Sequence, residues 1–399
     1  AANGPLAERL PGFQPRAEQI RMAEAVEAAI ADRAVLVAEA GTGTGKTFAY
    51  LVPALASGHK VIVSTGTKTL QDQLFQKDLP LVRAAVGRPV RLALLKGRAN
   101  YLCLQRMEQN AADGRFESRE LAHAFQQVVE WAGRTHRGDL AEISAIAADP
   151  LLRGRISSTA ENCLGSDCPF FADCFLMEAR RQAQEADVVV VNHHLLMADW
   201  ALKEGGFGEV LPTADVYILD EAHQLPEIAS QFFGLSLSSR QLSELARDAK
   251  LAYFEEAGDM PDLLEAAETL HKAVLDFRLA MELDNRRAAW AEIADKPEVQ
   301  DAVANLGFCL EALAVALEPA AERGKALDNV CKRAENMVKT LQAFLSPDDS
   351  AESVQWYETY SQSFILRVTP LDVARQFRGH MSRRPAAWIF TSATLSVGN

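Results

Sequence analysis

Short runs of β-branched and aliphatic residues alternate with amphipathic stretches in the first quarter of the chain. Ala34–Ala38, Lys60–Thr65 and Val90–Leu95 are too short for helices and rich in Val, Ile and Leu, which predicts strands buried on both faces. Between them, Ala17–Ile30 keeps a helical period, and Phe48–Leu55 reads as a helix following a glycine-rich turn. This alternation predicts an α/β domain, a parallel sheet flanked by helices. The rhythm lapses from Lys96 to about Gln184, then resumes with strand-like runs at Ala186–Val191 and Val216–Leu219. From about Pro226 to Trp356 the period is helical. Leu263, Ala267, Leu270, Val274, Phe277 and Met281 step by fours and threes, as do Leu327, Cys331, Ala334, Val338, Leu341 and Leu345. Gln362–Val368 and Ala387–Phe390 read as closing strands. The predicted divisions are 1–96, 185–225 and 358–399 for the α/β domain, with one insertion at 97–184 and an all-helical one at 226–357.

Candidate chemistry gathers where the predicted strands end. The first runs into Glu39-Ala-Gly-Thr-Gly-Thr-Gly-Lys-Thr47, a phosphate-binding loop pattern with Ala40 where the strictest form has Gly. Gly41, Thr42, Gly43, Thr44 and Gly45 would curl backbone N–H groups around phosphates at a helix N-terminus. Lys46 would reach the β- and γ-phosphates, and Thr47 would ligate Mg²⁺. Gln19 has the donor and acceptor to read an adenine edge, although a solvated helix residue would look the same. The Lys60–Thr65 run leads into Ser64, Thr65, Thr67 and Lys68, which suit a nucleic-acid phosphate or an ordinary capped helix. Asn192 and His193, with His194, predict a functional turn after the fourth strand. Val216–Leu219 ends in Asp220-Glu-Ala-His223. Carboxylates at the C-terminal end of a parallel strand face the ligand crevice. Asp220 would hold Mg²⁺ through water, Glu221 would orient or deprotonate the attacking water, and His223 would report nucleotide state to a second site. The last predicted strand ends in Thr391-Ser-Ala-Thr394, placing Ser392 and Thr394 at another strand end.

Composition adjusts this picture in three places. A chain of 399 residues is long for one core, so two or three domains are expected. The net charge of −13 argues against a uniformly basic nucleic-acid binder, yet basic residues gather at 91–106, 132–155 and 180–181, where local charge is what counts. Cys163, Cys168 and Cys174 read Cys-x4-Cys-x5-Cys, with Cys103 in the same insertion. Thiols so placed suit Zn²⁺ or an iron–sulfur cluster, and spacing alone admits either. Cys309 and Cys331 lie on apolar helical faces and are expected in the core. No apolar run reaches the roughly 20 residues that span a bilayer, and no signal pattern opens the chain, so no membrane association and a cytoplasmic location are expected.

Taken in order, Gln19, the loop at 40–47, Ser64–Leu74, four cysteines, Asn192-His193, Asp220–His223 and Ser392–Thr394 resemble the XPD-like iron–sulfur helicases of superfamily 2, in the bacterial branch that contains DinG and YoaA. The resemblance implies a RecA-like motor domain interrupted by a [4Fe-4S] domain and a helical arch. It implies ATP with Mg²⁺ as cofactor, and ATP-driven 5′→3′ movement on single-stranded DNA with unwinding of forked duplexes in repair or replication. Replication or repair proteins would be partners. It assigns Lys46, Asp220, Glu221 and His223 to ATP chemistry, Cys103, Cys163, Cys168 and Cys174 to the cluster, and Ser392 and Thr394 to coupling. Arg98, near the first cysteine, would touch DNA along with Thr65, Thr67, Lys68, Asn192 and His193. Helicases of this kind carry arginine fingers on a second RecA-like domain, and no such segment follows Thr394 here. The chain alone is therefore expected to turn over ATP slowly or not at all. A non-catalytic single-stranded DNA-binding fragment is the alternative expectation, distinguished by salt-dependent binding without turnover.

Overall fold

In the computed structural model the Val- and Ile-rich runs meet in one six-stranded parallel sheet. The structure describes residues 5–9, 14, 16–41, 43–159, 162–204, 210–281, 284–346, 353–383 and 385–394. The strands of this sheet are β1 (Val35–Glu39), β2 (Val61–Thr65), β3 (Leu92–Leu94), β4 (Val188–Asn192), β5 (Val216–Asp220) and β10 (Ala387–Ser392), in spatial order β1-β10-β5-β2-β4-β3. Every pairing is parallel. β2 and β4 are buried along their whole length because helices cover both faces. On one face the helices Ala17–Ala31, Lys46–Ser57 and Leu79–Val86 set Val26, Tyr50, Leu51, Leu55 and Val82 against Val61, Val63, Val190, Ile218 and Ile389. On the other, Trp388 stacks on Tyr217 with ring centroids 4.3 Å apart, and Trp200 stacks on His380. At the edge, β1 leaves Val35 and Val37 58% and 64% exposed. The N-terminal ends of the strands are tied by carboxylates: Asp215 accepts from the Lys60 N–H, and Asp187 accepts from the Arg91 N–H.

The described residues sort into two compact units. The first comprises those of Ala1–Ser158, Ala172–Ala229 and Ala374–Asn399 and contains the parallel sheet. Within it, the insertion after β3 builds a small core from Leu102, Leu121, Phe125, Val128, Leu140, Leu152 and Ile156. It is pinned beside β3 by Lys96, whose ammonium lies 2.9 Å from Asp72 Oδ1 and 2.8 Å from Asp139 Oδ2. The Lys96 N–H donates to the Tyr101 hydroxyl, and Tyr101 bridges Asp139.

The second unit comprises the described residues of Thr159–Phe171 and Ser230–Val373. Its long helices, Ser239–Glu256, Pro261–Ala280, Pro297–Leu317 and Lys325–Leu345, were legible as amphipathic periods. The all-helical expectation needs correction. β6 (Leu235–Ser238), β7 (Arg286–Ala289), β8 (Ser353–Thr359) and β9 (Phe364–Pro370) form a second, antiparallel sheet in the order β6-β9-β8-β7. β9, expected to close the α/β domain, belongs here. The physical reason is that Leu237, Tyr357, Phe364 and Leu366 point inward on alternate positions and share one core with Phe277, Trp290 and Phe344. Cys309 and Cys331 are buried in that core, as expected. Contrary to the sequence expectation, one stretch, Pro297–Arg323, is long and apolar enough to cross a membrane. Its Val299, Leu306, Leu310, Leu313 and Leu317 are core residues of this unit, while Phe308 and Val315 are exposed.

Candidate functional site

The glycine-rich loop leaves β1 at the C-terminal edge of the parallel sheet, anchored where the Ala40 N–H donates to the Ser392 carbonyl at 3.1 Å. Gly43 and Gly45 have φ of 80° and 82°, a region open to glycine at little cost. Gly45 caps the helix Lys46–Ser57, and a Cβ placed there would lie 2.1 Å from Gln19 Nε2. That contact exists because Gln19 donates to the Gly45 carbonyl at 3.0 Å. Arg16 donates to the Gly43 carbonyl, and Thr44 Oγ1 donates to the Gly41 carbonyl at 2.9 Å. Lys46 folds back, its Nζ donating to the Ala40 carbonyl at 3.0 Å. Thr42 lies outside the described residues. Thus the loop and Gln19 are brought together, with cationic and N–H groups grouped around loop carbonyls that a phosphate would release.

Asp220 ends β5, two strands from β1. Both of its carboxylate oxygens are engaged. Tyr50 donates to Oδ2 at 2.9 Å and Thr391 donates to Oδ1 at 2.7 Å. Burial first, then the Asp220 charge, hold the Tyr50 phenol well above its ordinary pKa of 10.0, so it stays a donor. Tyr50 sits one turn beyond Lys46–Thr47 on the loop's own helix and therefore joins the phosphate loop to the acidic strand end. The next residue, Glu221, has φ 56° and ψ 44°, left-handed backbone that a non-glycine residue rarely occupies. His223 Nδ1 lies 3.4 Å from Glu221 Oε2 and 2.8 Å from Ser392 Oγ, while Ser392 Oγ and Thr394 exchange hydrogen bonds at 3.2 Å. The expected Asp220–His223 and Ser392–Thr394 motifs therefore meet directly.

The residues expected on nucleic acid divide. Thr67 and Lys68 are exposed after β2, with Thr67 capping the next helix by accepting from the Leu70 N–H. Burial, then Arg153 and Lys96, draw the Lys68 ammonium below its ordinary value, against Asp139 and Asp72, which raise it. Arg98 is half-exposed on the turn Arg98–Asn100. Thr65 is buried and donates to the Thr67 carbonyl. Asn192 is buried too, its Oδ1 accepting from the Leu195 N–H at 2.9 Å. His193 is corrected outright: it is 0% exposed and opens the helix His193–Glu204 instead of a turn, so no strand of nucleic acid reaches it here. Its Nε2 lies 2.7 Å from the Asp220 carbonyl and its Nδ1 2.7 Å from Ser64 Oγ. A carbonyl only accepts, so Nε2 carries the proton and Nδ1 accepts from Ser64. Burial pushes its pKa down to about 4, which keeps the ring neutral. Ser64 is likewise fully buried and committed to this ring.

The four insertion cysteines are half-buried, and none is in a disulfide. In the first unit, Cys103 and Cys174 stand at the N-cap positions of the helices Leu104–Asp113 and Phe175–Glu185. In the second, Cys163 and Cys168 flank the turn Gly165–Asp167, with the Gly165 N–H 3.5 Å from Cys163 Sγ. Among the described residues no group of three or more Cys, His, Asp or Glu is gathered for a metal. The donor chemistry, four thiols without a disulfide, suits a cluster.

Sequence reasoning missed Tyr50, Thr391 and Lys96. Tyr50 stands three residues after Thr47, so helical spacing pointed to it, and Thr391 lay inside a motif already noticed. Lys96 carried no such signal.

Sequence models match for the DEAD/DEAH box helicase family over residues 21–110 and for DEAD_2 over 154–242. The chain is 47% identical over 397 residues to the ATP-dependent DNA helicase YoaA of Haemophilus influenzae, covering 99% of this chain and 62% of that protein. It is 46% identical over 402 residues to the Escherichia coli YoaA, covering 100% and 63%. The ATP-dependent helicase DinG of Mycobacterium tuberculosis is 33% identical over 98% of this chain and 60% of its own length. The chain thus spans about three fifths of the length of these curated relatives. A solved XPD helicase superposes with a TM-score of 0.51 at 14% identity, over 96% of this chain and 59% of the other, a likeness of fold. Over nearly its whole length the chain is similar to the YoaA and DinG helicases, and two DEAD-type helicase models match it.

Proposed function

We propose that this chain is the ATP-binding part of an ATP-dependent DNA helicase, one that moves 5′→3′ on single-stranded DNA and opens forked duplexes during cytoplasmic repair or replication. The observation that carries the reading is the joined site: Asp220 is held by Tyr50 from the phosphate-loop helix and by Thr391 from the strand that ends in Ser392. Lys46 leaves the Ala40 carbonyl to take the β- and γ-phosphates, while Gly41–Gly45 present N–H groups and Gln19 turns to the base. Thr47 and Asp220 are the residues that would hold Mg²⁺, which would neutralise charge building on the phosphates. Glu221 orients or deprotonates the attacking water. His223 passes the state of Glu221 to Ser392 across the 2.8 Å contact. Thr67, Lys68 and Arg98 supply contacts to the DNA backbone. Cys103, Cys163, Cys168 and Cys174 are the proposed ligands of a [4Fe-4S] cluster, which would stiffen an insertion whose own core is small.

The test is ATP turnover by the full-length protein with and without single-stranded DNA, and unwinding of forks tailed on either strand. DNA-stimulated turnover abolished by Lys46→Ala, with unwinding only from a 5′ tail, is the expected result. Turnover indifferent to DNA would overturn the reading. Iron content and visible absorbance should vanish in Cys168→Ser; a colourless, zinc-loaded wild type would sink the cluster assignment.

A further inference from the structure

His193 is positioned neither to touch a ligand nor merely to fill space. Its neutral imidazole spans two strand ends that carry different tasks. Through Nε2–H it holds the backbone carbonyl of Asp220, whose carboxylate lies in the nucleotide site. Through Nδ1 it accepts from Ser64, the residue before the Thr65–Lys68 segment with its exposed Thr67 and Lys68. β2 and β5 are already neighbours, with Ser64 opposite Leu219, but that ladder ends before Asp220. The imidazole therefore supplies the hydrogen-bonded link between Asp220 itself and β2. Both contacts are 2.7 Å long; the one to Ser64 is buried, the one to Asp220 part-buried, and the imidazole between them is fully buried. A shift of Asp220 by an ångström must either drag the ring and Ser64 with it or leave a buried donor and acceptor unpaired, and the second outcome is costly.

We infer that His193 is a positioning residue that couples nucleotide occupancy at Asp220 to the nucleic-acid-facing segment after β2. The inference rests on the reading of the chain as a DNA-dependent ATPase. It differs from the His223–Ser392 contact in route, since it passes through β2 and not through β10.

The experiment measures single-stranded DNA affinity by anisotropy of a labelled oligonucleotide, in the full-length protein, with and without a non-hydrolysable ATP analogue and Mg²⁺. Analogue affinity is measured with and without DNA. The variants are Ser64→Ala, which removes one donor with little change of volume, His193→Leu, and His193→Gln, whose amide keeps a donor and an acceptor. In the wild type each ligand should change the affinity of the other by the same factor, in the range of roughly 5- to 150-fold. In Ser64→Ala and His193→Leu that factor should fall to about twofold or less, while each ligand alone binds within about twofold of wild type. His193→Gln should recover part of it. A residue needed only for folding would change stability and leave the factor intact. Unchanged coupling in folded Ser64→Ala overturns the inference while the helicase reading stands, whether or not the His193 variants fold. Wild type that binds both ligands without coupling overturns it as well. Failure of the wild type to bind nucleotide or DNA overturns the functional reading beneath it.

Discussion

Replacing Lys96 by Met tests how the first insertion is held. The Lys96 side chain is 4% exposed and sits between Asp72 and Asp139, which are 30% and 17% exposed. Methionine preserves most of the volume but leaves two carboxylates facing each other without a cation. Removing one partner of a buried ion pair costs about 3–5 kcal/mol. Because water reaches Asp72 and, less freely, Asp139, the lower end applies, about 3 kcal/mol. For a unit of this size that lowers the thermal midpoint by roughly 6–12 °C. Circular dichroism melts read the shift, and limited proteolysis between 97 and 158 locates it. Adding Asp72→Asn and Asp139→Asn to Lys96→Met should restore part of the loss, since the stranded charges are then gone. The sign with pH follows from the ammonium. Burial pulls its pKa down, but bonds to Asp139 and Asp72 hold it above the ordinary 10.5. A raised folded value means that the stabilisation is complete below about pH 10 and disappears only as pH climbs through that raised value. The difference between wild type and Lys96→Met should therefore be flat from pH 6 to 9. A midpoint change under about 2 °C, or a difference that varies through neutral pH, would refute the reasoning.

Three further outcomes are expected. Gly45→Ala meets both a φ of 82° and a 2.1 Å approach to Gln19, so calorimetric affinity for an ATP analogue should drop more than about tenfold; a change under threefold counts against the loop geometry. Glu221→Gly should raise stability by about 1 kcal/mol in denaturant titration by releasing left-handed strain, while turnover falls by about 10²-fold or more; lower stability would mean that the strain is not there. Tyr50→Phe removes one charge-assisted bond to Asp220, so kcat should fall about tenfold with KM nearly unchanged; an effect confined to KM would place Tyr50 on substrate binding instead.

The parallel strands were legible because β2, β4 and β5 open on runs of apolar residues where helices cover both faces. Their spatial order was not, since nothing local tells β10 to enter between β1 and β5. The phosphate loop and the Asp220 carboxylate were legible as strand-end chemistry. His193 misled because a polar residue after a strand ordinarily meets solvent, and only the helix that begins there turns it inward. The second sheet was hidden for another reason. β7 reads Arg-Arg-Ala-Ala, with no large apolar residue, and a packing contact visible only in three dimensions is Arg287 stacked 4.0 Å over Trp356. β8 was absorbed into a helical reading at Trp356 because its own alternation is short.

In the parallel sheet, β1 is an edge strand hydrogen-bonded to β10. Synthesis therefore makes the strand that launches the phosphate loop long before its neighbour exists. Everything from Gly41 to Ala386 must leave the ribosome first, on the order of 20–70 s at common elongation rates. Through that interval β2, β3, β4 and β5 can already pair, whereas Val35 and Val37 remain on an unpaired strand that invites wrong partners. Assembly of the nucleotide site is thus a late event in the life of each molecule. A nascent chain stalled before Trp388 should be unable to retain ATP, however well the rest of its sheet has formed.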